Sequence, residues 1–163
     1  EGLLTKENFK MNFIGKVNVE GLMNSPLHAL EIDDMVSFTP PVSHEEAIQA
    51  IQNADVLLII QPDTSLQVPG KLFEYIASGK PVLALACEGA TADIVVNENL
   101  GWVVDPLDQT GLQEVLKELL REKEGRTFNR RVANCRRAKF ESRVLTEQLT
   151  ALFDKTVTRD NQR

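Results

Sequence analysis

The stretch VLLIIQPDTSLQVPGKLFEYIASGKPVLAL, residues 56–85, decides the fold because it contains two apolar strands with a helix between them. VLLIIQ (56–61) and PVLALAC (81–87) are apolar at successive positions, which is typical of parallel strands that helices cover on both faces. Pro69 suits the first turn of a helix, and Gly79 suits the residue after a helix ends. The stretch therefore predicts a β-α-β unit.

Strand and helix patterns alternate on both sides of this unit. The alternation predicts an α/β fold, namely a Rossmann-like doubly wound parallel sheet with helices on both faces and a long C-terminal helix. We predict a single domain over 1–163, with its core at 10–124 and a helical extension at 129–157. The remaining predicted strands cover 10–17, 35–40 and 102–105, and the remaining helices cover 21–32, 43–54, 91–99 and 112–123.

The carboxyl ends of the strands are where a ligand is expected. Right-handed crossovers bring those ends to one edge of a parallel sheet, and ligands bind there. At one of these loops, Ser43 and Glu46 have the spacing of a capping box, which predicts the start of a helix. The loops at this edge are 16–20, 40–44, 61–71, 87–91 and 105–110.

Composition narrows the class of protein. Apolar residues make up 42% and charged residues 26%, which is enough to build a core and excludes the disordered class. Two cysteines cannot build a disulfide framework or a zinc site, so we expect a reducing, cytoplasmic setting. No apolar run is long enough to cross a bilayer. The chain does not begin with Met, and we expect it to be a fragment of a longer protein.

Charge is distributed unevenly. Residues 1–120 carry 18 acidic and 6 basic side chains, whereas residues 121–163 carry 12 basic and 6 acidic ones. The basic run 121–143 could contact an anionic membrane surface, a nucleic acid or an acidic neighbouring domain. A solvated helix face is the simpler interpretation. Nucleic acid is not favoured as a partner, because no aromatic residues interleave with the basic ones.

The helix that begins near Pro69 contains the residues that are best suited to bind a ligand. Free N–H groups and the dipole at a helix start favour an anion; Gly70 permits close approach, and Lys71 adds a cation. Glu74, one turn further along, offers two acceptors that suit vicinal hydroxyls of a ribose. This spacing would fit a nucleoside diphosphate. The alternative, that Pro69 and Gly70 only start the helix and Glu74 is solvated, stays open at this point.

The segment 54–108 closely resembles the donor-binding domain of GT-B glycosyltransferases of the retaining, family-4-like group 1. In that family, the sequence motif of this helix is roughly P-x-K-L-x-E-x-x-A-x-G-x-P-V. The phrase FTPPVSHEEAIQAIQNADVLLI (38–59) also resembles the family, and the resemblance extends from about Phe13 to Leu120. The matching residues are Pro69, Lys71, Leu72, Glu74, Ala77, Gly79, Pro81 and Val82.

The resemblance implies a nucleotide diphosphate sugar as donor substrate, with no metal and no further cofactor. Glu74 would bind the donor ribose, and the helix tip at Gly70, Lys71 and Leu72 would face the phosphates or the sugar. The loop at Pro41 and Val42 would lie near the base. The family's other acid, which touches the donor sugar, falls eight residues earlier, and this chain has Leu66 there.

The function expected from the resemblance is the donor-binding half of a retaining glycosyltransferase, with the acceptor domain missing from the N-terminal side. A bacterial cell-envelope polysaccharide is the expected pathway, in the cytoplasm or at the inner face of the plasma membrane. The alternatives are half of a sugar-nucleotide epimerase, a non-catalytic interaction domain on the same scaffold, and a flavodoxin- or receiver-like regulatory domain.

Some residues near the edge loops have less specific roles. Cys87 is interpreted as a small buried residue, because no base can be named for it. His44 is expected in the first turn of an exposed helix, and Asp105 and Asp108 are expected to cap the helix that follows them. Glu88, Gly89 and Thr91 could form a second wall for the sugar.

Overall fold

The computed structural model describes residues 4–16, 34–125 and 137–160. The predicted helix 21–32 and the central part of the basic run 121–143 lie outside the described residues. The elements in chain order are β1 (Met11–Ile14), β2 (Val36–Thr39), α1 (His44–Asn53), β3 (Leu57–Gln61), α2 (Gly70–Ser78), β4 (Val82–Ala86), α3 (Ala90–Asn97), β5 (Gly101–Val104), α4 (Gln109–Gly125), a 3₁₀ helix (Arg137–Phe140) and α5 (Ser142–Asp160).

The predicted α/β class is confirmed, since every strand pairing in the described residues is parallel and helices flank the strands. The strands form two sheets, β1-β2 and β3-β4-β5, where the alternation suggested one continuous sheet. Alternation predicts that strands are parallel but does not specify which strands pair. The chain also divides into two compact units at Asn53 and Ala54, which are described separately below.

The first unit, residues 1–53, contains the two-stranded sheet and α1. On one face of the sheet the rings of Phe13 and Phe38 stack with centroids 5.3 Å apart. The predicted capping box starts α1: the Ser43 N–H donates to Glu46 Oε2 at 2.8 Å, and the Glu46 N–H donates to Ser43 Oγ at 3.3 Å. His44 is the exposed first residue of that helix, as predicted.

The second unit, residues 54–163, is built around the three-stranded sheet with β4 in the centre. Alternate residues of β4 enter separate apolar clusters, as the two-faced pattern predicted. Val82 and Ala84 pack with Leu72 and Ile76 of α2 and with Val95 of α3. On the other face the core is formed by Leu83, Trp102 and Val104, against which Leu112, Val115 and Leu119 of α4 pack.

The segment after α4 contacts this core through Phe140. Its ring packs against the cluster under α2, and its centroid lies 6.0 Å from that of Phe73. Lys139 forms an ion pair with Glu98. The predicted helix 129–157 is observed from Ser142 onward, after the 3₁₀ helix; its first residues lie outside the described ranges. No helix in the described ranges is long and apolar enough to cross a membrane.

Candidate functional site

Helix α2 begins where the loop from β3 ends, at the carboxyl edge of the three-stranded sheet. Pro69 is the N-cap, with φ −63° and ψ 134°, one residue earlier than the first-turn position that the sequence suggested. No side chain caps the helix. The Leu72 N–H donates to the Pro69 carbonyl at 2.9 Å, so the N–H groups of Gly70 and Lys71 precede the first bond of the helix. The helix start therefore presents two amides and its dipole.

The space above Gly70 is open. A Cβ atom built on this residue would meet nothing within 4 Å, and Gly70 itself is exposed. Lys71 is exposed beside it. An anionic ligand could therefore approach the backbone at the tip of α2 and contact the lysine ammonium there.

Leu72 differs from the other residues predicted at the tip, because its side chain is fully buried. It packs with Ile76 in the core beneath the helix. Its N–H is also used in the first turn, as described above. Leu72 therefore anchors α2 to the sheet, and its side chain has no access to a ligand.

Glu74 lies on the exposed side of α2, four residues after the tip. The helical rise places it roughly 6 Å along the axis from Gly70. Its neighbour Tyr75 is half-buried against the core. Burial raises the pKa of the Tyr75 phenol, and the nearby Glu74 carboxylate adds a smaller rise. The carboxylate is thus presented to solvent, below a cationic helix start.

The remaining predicted site residues lie on loops. Leu66, in the loop between β3 and α2, has 92% of its surface exposed. Pro41 is exposed and Val42 is half-buried; both belong to the first unit, whereas Leu66 belongs to the second. That these loops share one site with α2 stays a prediction.

The turn between β4 and α3 differs from the sequence prediction at Cys87 and makes a contact through Thr91 that was not predicted. Cys87 is exposed, not buried as the sequence suggested, because it lies just past the end of β4. Its Sγ donates to the carbonyl of Pro62 at 2.9 Å. Thr91 is buried, and its hydroxyl donates to the Gln67 carbonyl at 3.0 Å. Sequence reasoning missed this contact between two loops, although both were assigned to the same edge.

Asp105 and Asp108, just before α4, both accept hydrogen bonds from backbone N–H groups, and of the two Asp108 bonds to a residue within α4. Asp108 Oδ1 accepts from the Gly111 N–H at 2.9 Å at the start of α4, as predicted. Asp105 Oδ1 accepts from the Leu107 N–H at 2.8 Å. Within residues 4–16, 34–125 and 137–160, no three His, Cys, Asp or Glu side chains lie together in a way that could hold a metal ion.

The family model described as glycosyl transferases group 1 matches residues 2–137. The chain belongs to this family. The match covers residues of both units, ends before α5, and includes the whole of α2 with its exposed carboxylate. No curated protein matches the chain.

Membership establishes the class of reaction. This glycosyltransferase domain belongs to enzymes that transfer a sugar from a donor to an acceptor. A sugar-nucleotide donor and an acceptor are therefore its implied partners. The resemblance on which the sequence prediction rested is thereby confirmed.

Proposed function

We propose that this domain is the donor-binding half of a retaining glycosyltransferase and that α2 holds the nucleotide diphosphate part of the donor. The observation that carries the proposal is the arrangement on this one helix. Its uncapped start, the open space over Gly70 and the exposed Lys71 suit a diphosphate. The exposed carboxylate of Glu74, roughly one turn further on, suits the ribose hydroxyls.

The helix start would also serve the chemistry. When the bond between the sugar and the diphosphate breaks, negative charge develops on the departing phosphate oxygens. The amides of Gly70 and Lys71 and the lysine ammonium would stabilise that charge without having to reorganise. Retention of configuration follows the family-4-like resemblance of the sequence, and the acceptor would be held by a further, N-terminal domain.

The cellular role follows as a second part of the proposal. An enzyme of bacterial cell-envelope polysaccharide synthesis would act in the cytoplasm or at the inner face of the plasma membrane. The basic run 121–143 supplies charge for a peripheral contact with anionic lipid.

Calorimetric titration of the purified chain with UDP, GDP and ADP tests the nucleotide part. We expect one of them to bind, and we expect Glu74→Gln to weaken that binding about 10- to 100-fold, because hydrogen bonds to a charged carboxylate contribute about 1.5–3 kcal/mol. The matched control is Glu124→Gln, an exposed glutamate near the end of α4. It should leave the affinity unchanged.

Two results would contradict the proposal. Absence of heat with all three nucleotides at millimolar concentration would favour a non-catalytic interaction domain, for which the exposed Leu66 is a candidate contact. Equal affinities of the wild-type chain and Glu74→Gln would remove Glu74 from the ribose site.

A further inference from the structure

The loop between β3 and α2, residues 62–69, is fastened by the neighbouring turn between β4 and α3. The N–H of Ala90 donates to the Ser65 carbonyl at 2.7 Å, in the middle of the loop. The hydroxyl of Thr91 donates to the Gln67 carbonyl at 3.0 Å, closer to its end. The hydrogen bonds therefore join two segments more than twenty residues apart in sequence.

A third donor of the same turn holds the beginning of the loop. Cys87 Sγ donates to the carbonyl of Pro62, the first residue after β3. The loop is thus held at its start, its middle and near its end by one short turn. Its last residue, Pro69, is the N-cap of α2, and the start of that helix is held on the core separately by the buried side chain of Leu72.

Gly89 makes the close approach possible. Its φ of 152° and ψ of −171° lie in a region that is essentially restricted to glycine. A Cβ atom there would lie 2.6 Å from Ser65 Cα, and still closer to the Ser65 carbonyl oxygen. Because those are backbone atoms, a larger residue could be accommodated only if the loop moved away.

Thr91 acts only through the loop. Only 2% of its surface is exposed, beside the buried apolar residues of α3, so its hydroxyl cannot reach a ligand. A buried hydroxyl is costly unless it is hydrogen-bonded, and this one donates to the Gln67 carbonyl. Of the residues that the sequence suggested as a second wall for the sugar, Thr91 could therefore act only indirectly, whereas Glu88 is exposed.

Apart from Val68, which packs against the core near the end of the loop, the described residues provide little else to hold it. Residues 63–67 are all exposed, and Leu66 extends almost entirely into solvent. Within the loop and its flanking strand, a side-chain hydrogen bond joins Gln61 to Thr64. Segments with exposed backbone and few buried contacts open easily unless another element holds them.

We infer that Gly89 and Thr91 are positioning residues for the sugar end of the donor. They act by holding the loop 62–69 in one conformation. The inference rests on the proposed function, in which α2 grips the nucleotide. The resemblance places the family's sugar-contacting residue at the position of Leu66, and on that basis the loop would lie on the sugar side of the diphosphate. Loosening the loop should weaken binding of the sugar moiety. The affinity for the nucleotide, which Glu74 is proposed to bind, should stay unchanged.

Hydrogen exchange of the Ala90 amide, whose bond to the Ser65 carbonyl helps to fasten the loop, measures the fastening in the purified 163-residue chain, and its rate is called loop exchange below. Thr91→Val removes the hydroxyl at nearly constant volume, and we expect about fivefold faster loop exchange, the equivalent of one lost hydrogen bond of about 1 kcal/mol. Thr91→Ser should restore slow exchange. Gly89→Ala should loosen the loop further. The matched control is Thr146→Val, which removes a threonine-to-backbone bond within α5; it should leave loop exchange unchanged.

Titration with UDP, GDP and ADP, and with UDP-glucose, GDP-mannose and ADP-glucose, measures the consequence. The extra affinity of the nucleotide sugar over its nucleotide should fall about fivefold in Thr91→Val, whereas affinity for the nucleotide alone should not change. A merely structural role would weaken both ligands equally. Unchanged loop exchange in both Thr91→Val and Gly89→Ala would overturn the inference, as would faster exchange with an unchanged affinity ratio.

The two proposals fail separately. If the wild-type chain binds no nucleotide, the proposed function is overturned. The positioning role of Gly89 and Thr91 at the donor sugar is then overturned as well. Loop exchange in the variants would still decide whether the turn fastens the loop. If nucleotides bind but the variants do not alter the affinity ratio, only the positioning role is lost.

Discussion

Leu72 and Glu74 lie two positions apart on α2 and have opposite environments. Leu72 is fully buried against the sheet, whereas Glu74 is exposed. Two positions correspond to roughly 200° of rotation around a helix, so the side chains leave from opposite faces. One face of this short helix therefore holds it on the core while the other presents the carboxylate.

This division predicts that stability and ligand binding separate by residue. Leu72→Ala should lower the free energy of unfolding by about 2–5 kcal/mol, because it leaves a cavity in the core. Glu74→Gln should change it by less than about 0.5 kcal/mol, since Glu74 is exposed. Urea denaturation of both variants measures the difference. A comparable loss of stability in Glu74→Gln would show that the carboxylate has a structural role.

The open space above Gly70 predicts a substitution that affects ligand binding alone. An alanine methyl there meets no protein atom, so Gly70→Ala should leave the free energy of unfolding equal or raise it by up to about 1 kcal/mol. The same methyl would occupy the position where a phosphate approaches the backbone. Nucleotide affinity, measured by calorimetry, should fall at least about tenfold. Unchanged affinity would place the phosphate elsewhere.

Much of the second unit could be predicted from the sequence, because its signals are local. The apolar runs of β3 and β4 imply strands covered on both faces, and Gly79 ends α2 with the left-handed φ of 73° that its position predicts. The Ser43–Glu46 capping box is also local and is observed as predicted.

What could not be predicted depends on contacts between distant residues. The division of the strands into two sheets depends on which strands pair, which periodicity does not encode. The exposure of Cys87 and the bond from Thr91 to Gln67 depend on how two loops meet. The family resemblance places Leu72 at the tip of α2 but does not give the direction of its side chain, which is buried.

Tyr75 provides a spectroscopic test of the environment of Glu74. It is the only tyrosine of the chain, so the absorbance of its phenolate reports on this residue alone. Because burial raises its pKa above the ordinary value of 10.0, with a smaller contribution from Glu74, the phenol should ionise at higher pH than in the unfolded chain.

The Glu74→Gln variant should lower the pKa of Tyr75 but leave it above 10.0, because burial is the larger cause. A pKa raised in the folded state gives stability that is fully present below pH 10.0 and is lost as the pH rises through the folded-state pKa. A Tyr75 pKa that Glu74→Gln does not change would mean that the two side chains are farther apart than the structure places them.

The capping box of α1 should respond to acid. Hydrogen bonds that the Glu46 carboxylate accepts, first from the Ser43 side chain and then from the Ser43 backbone N–H, hold the pKa of Glu46 below its ordinary value of 4.5. A lowered pKa in the folded state gives stability that is present above pH 4.5 and is lost as the pH falls through the folded-state pKa. The chemical shift of the Ser43 amide should therefore titrate at a pH below 4.5. In Glu46→Gln the amide should keep an acceptor but lose that titration, whereas Glu45→Gln should retain it; a Ser43 amide that still titrates in Glu46→Gln would contradict the reciprocal cap.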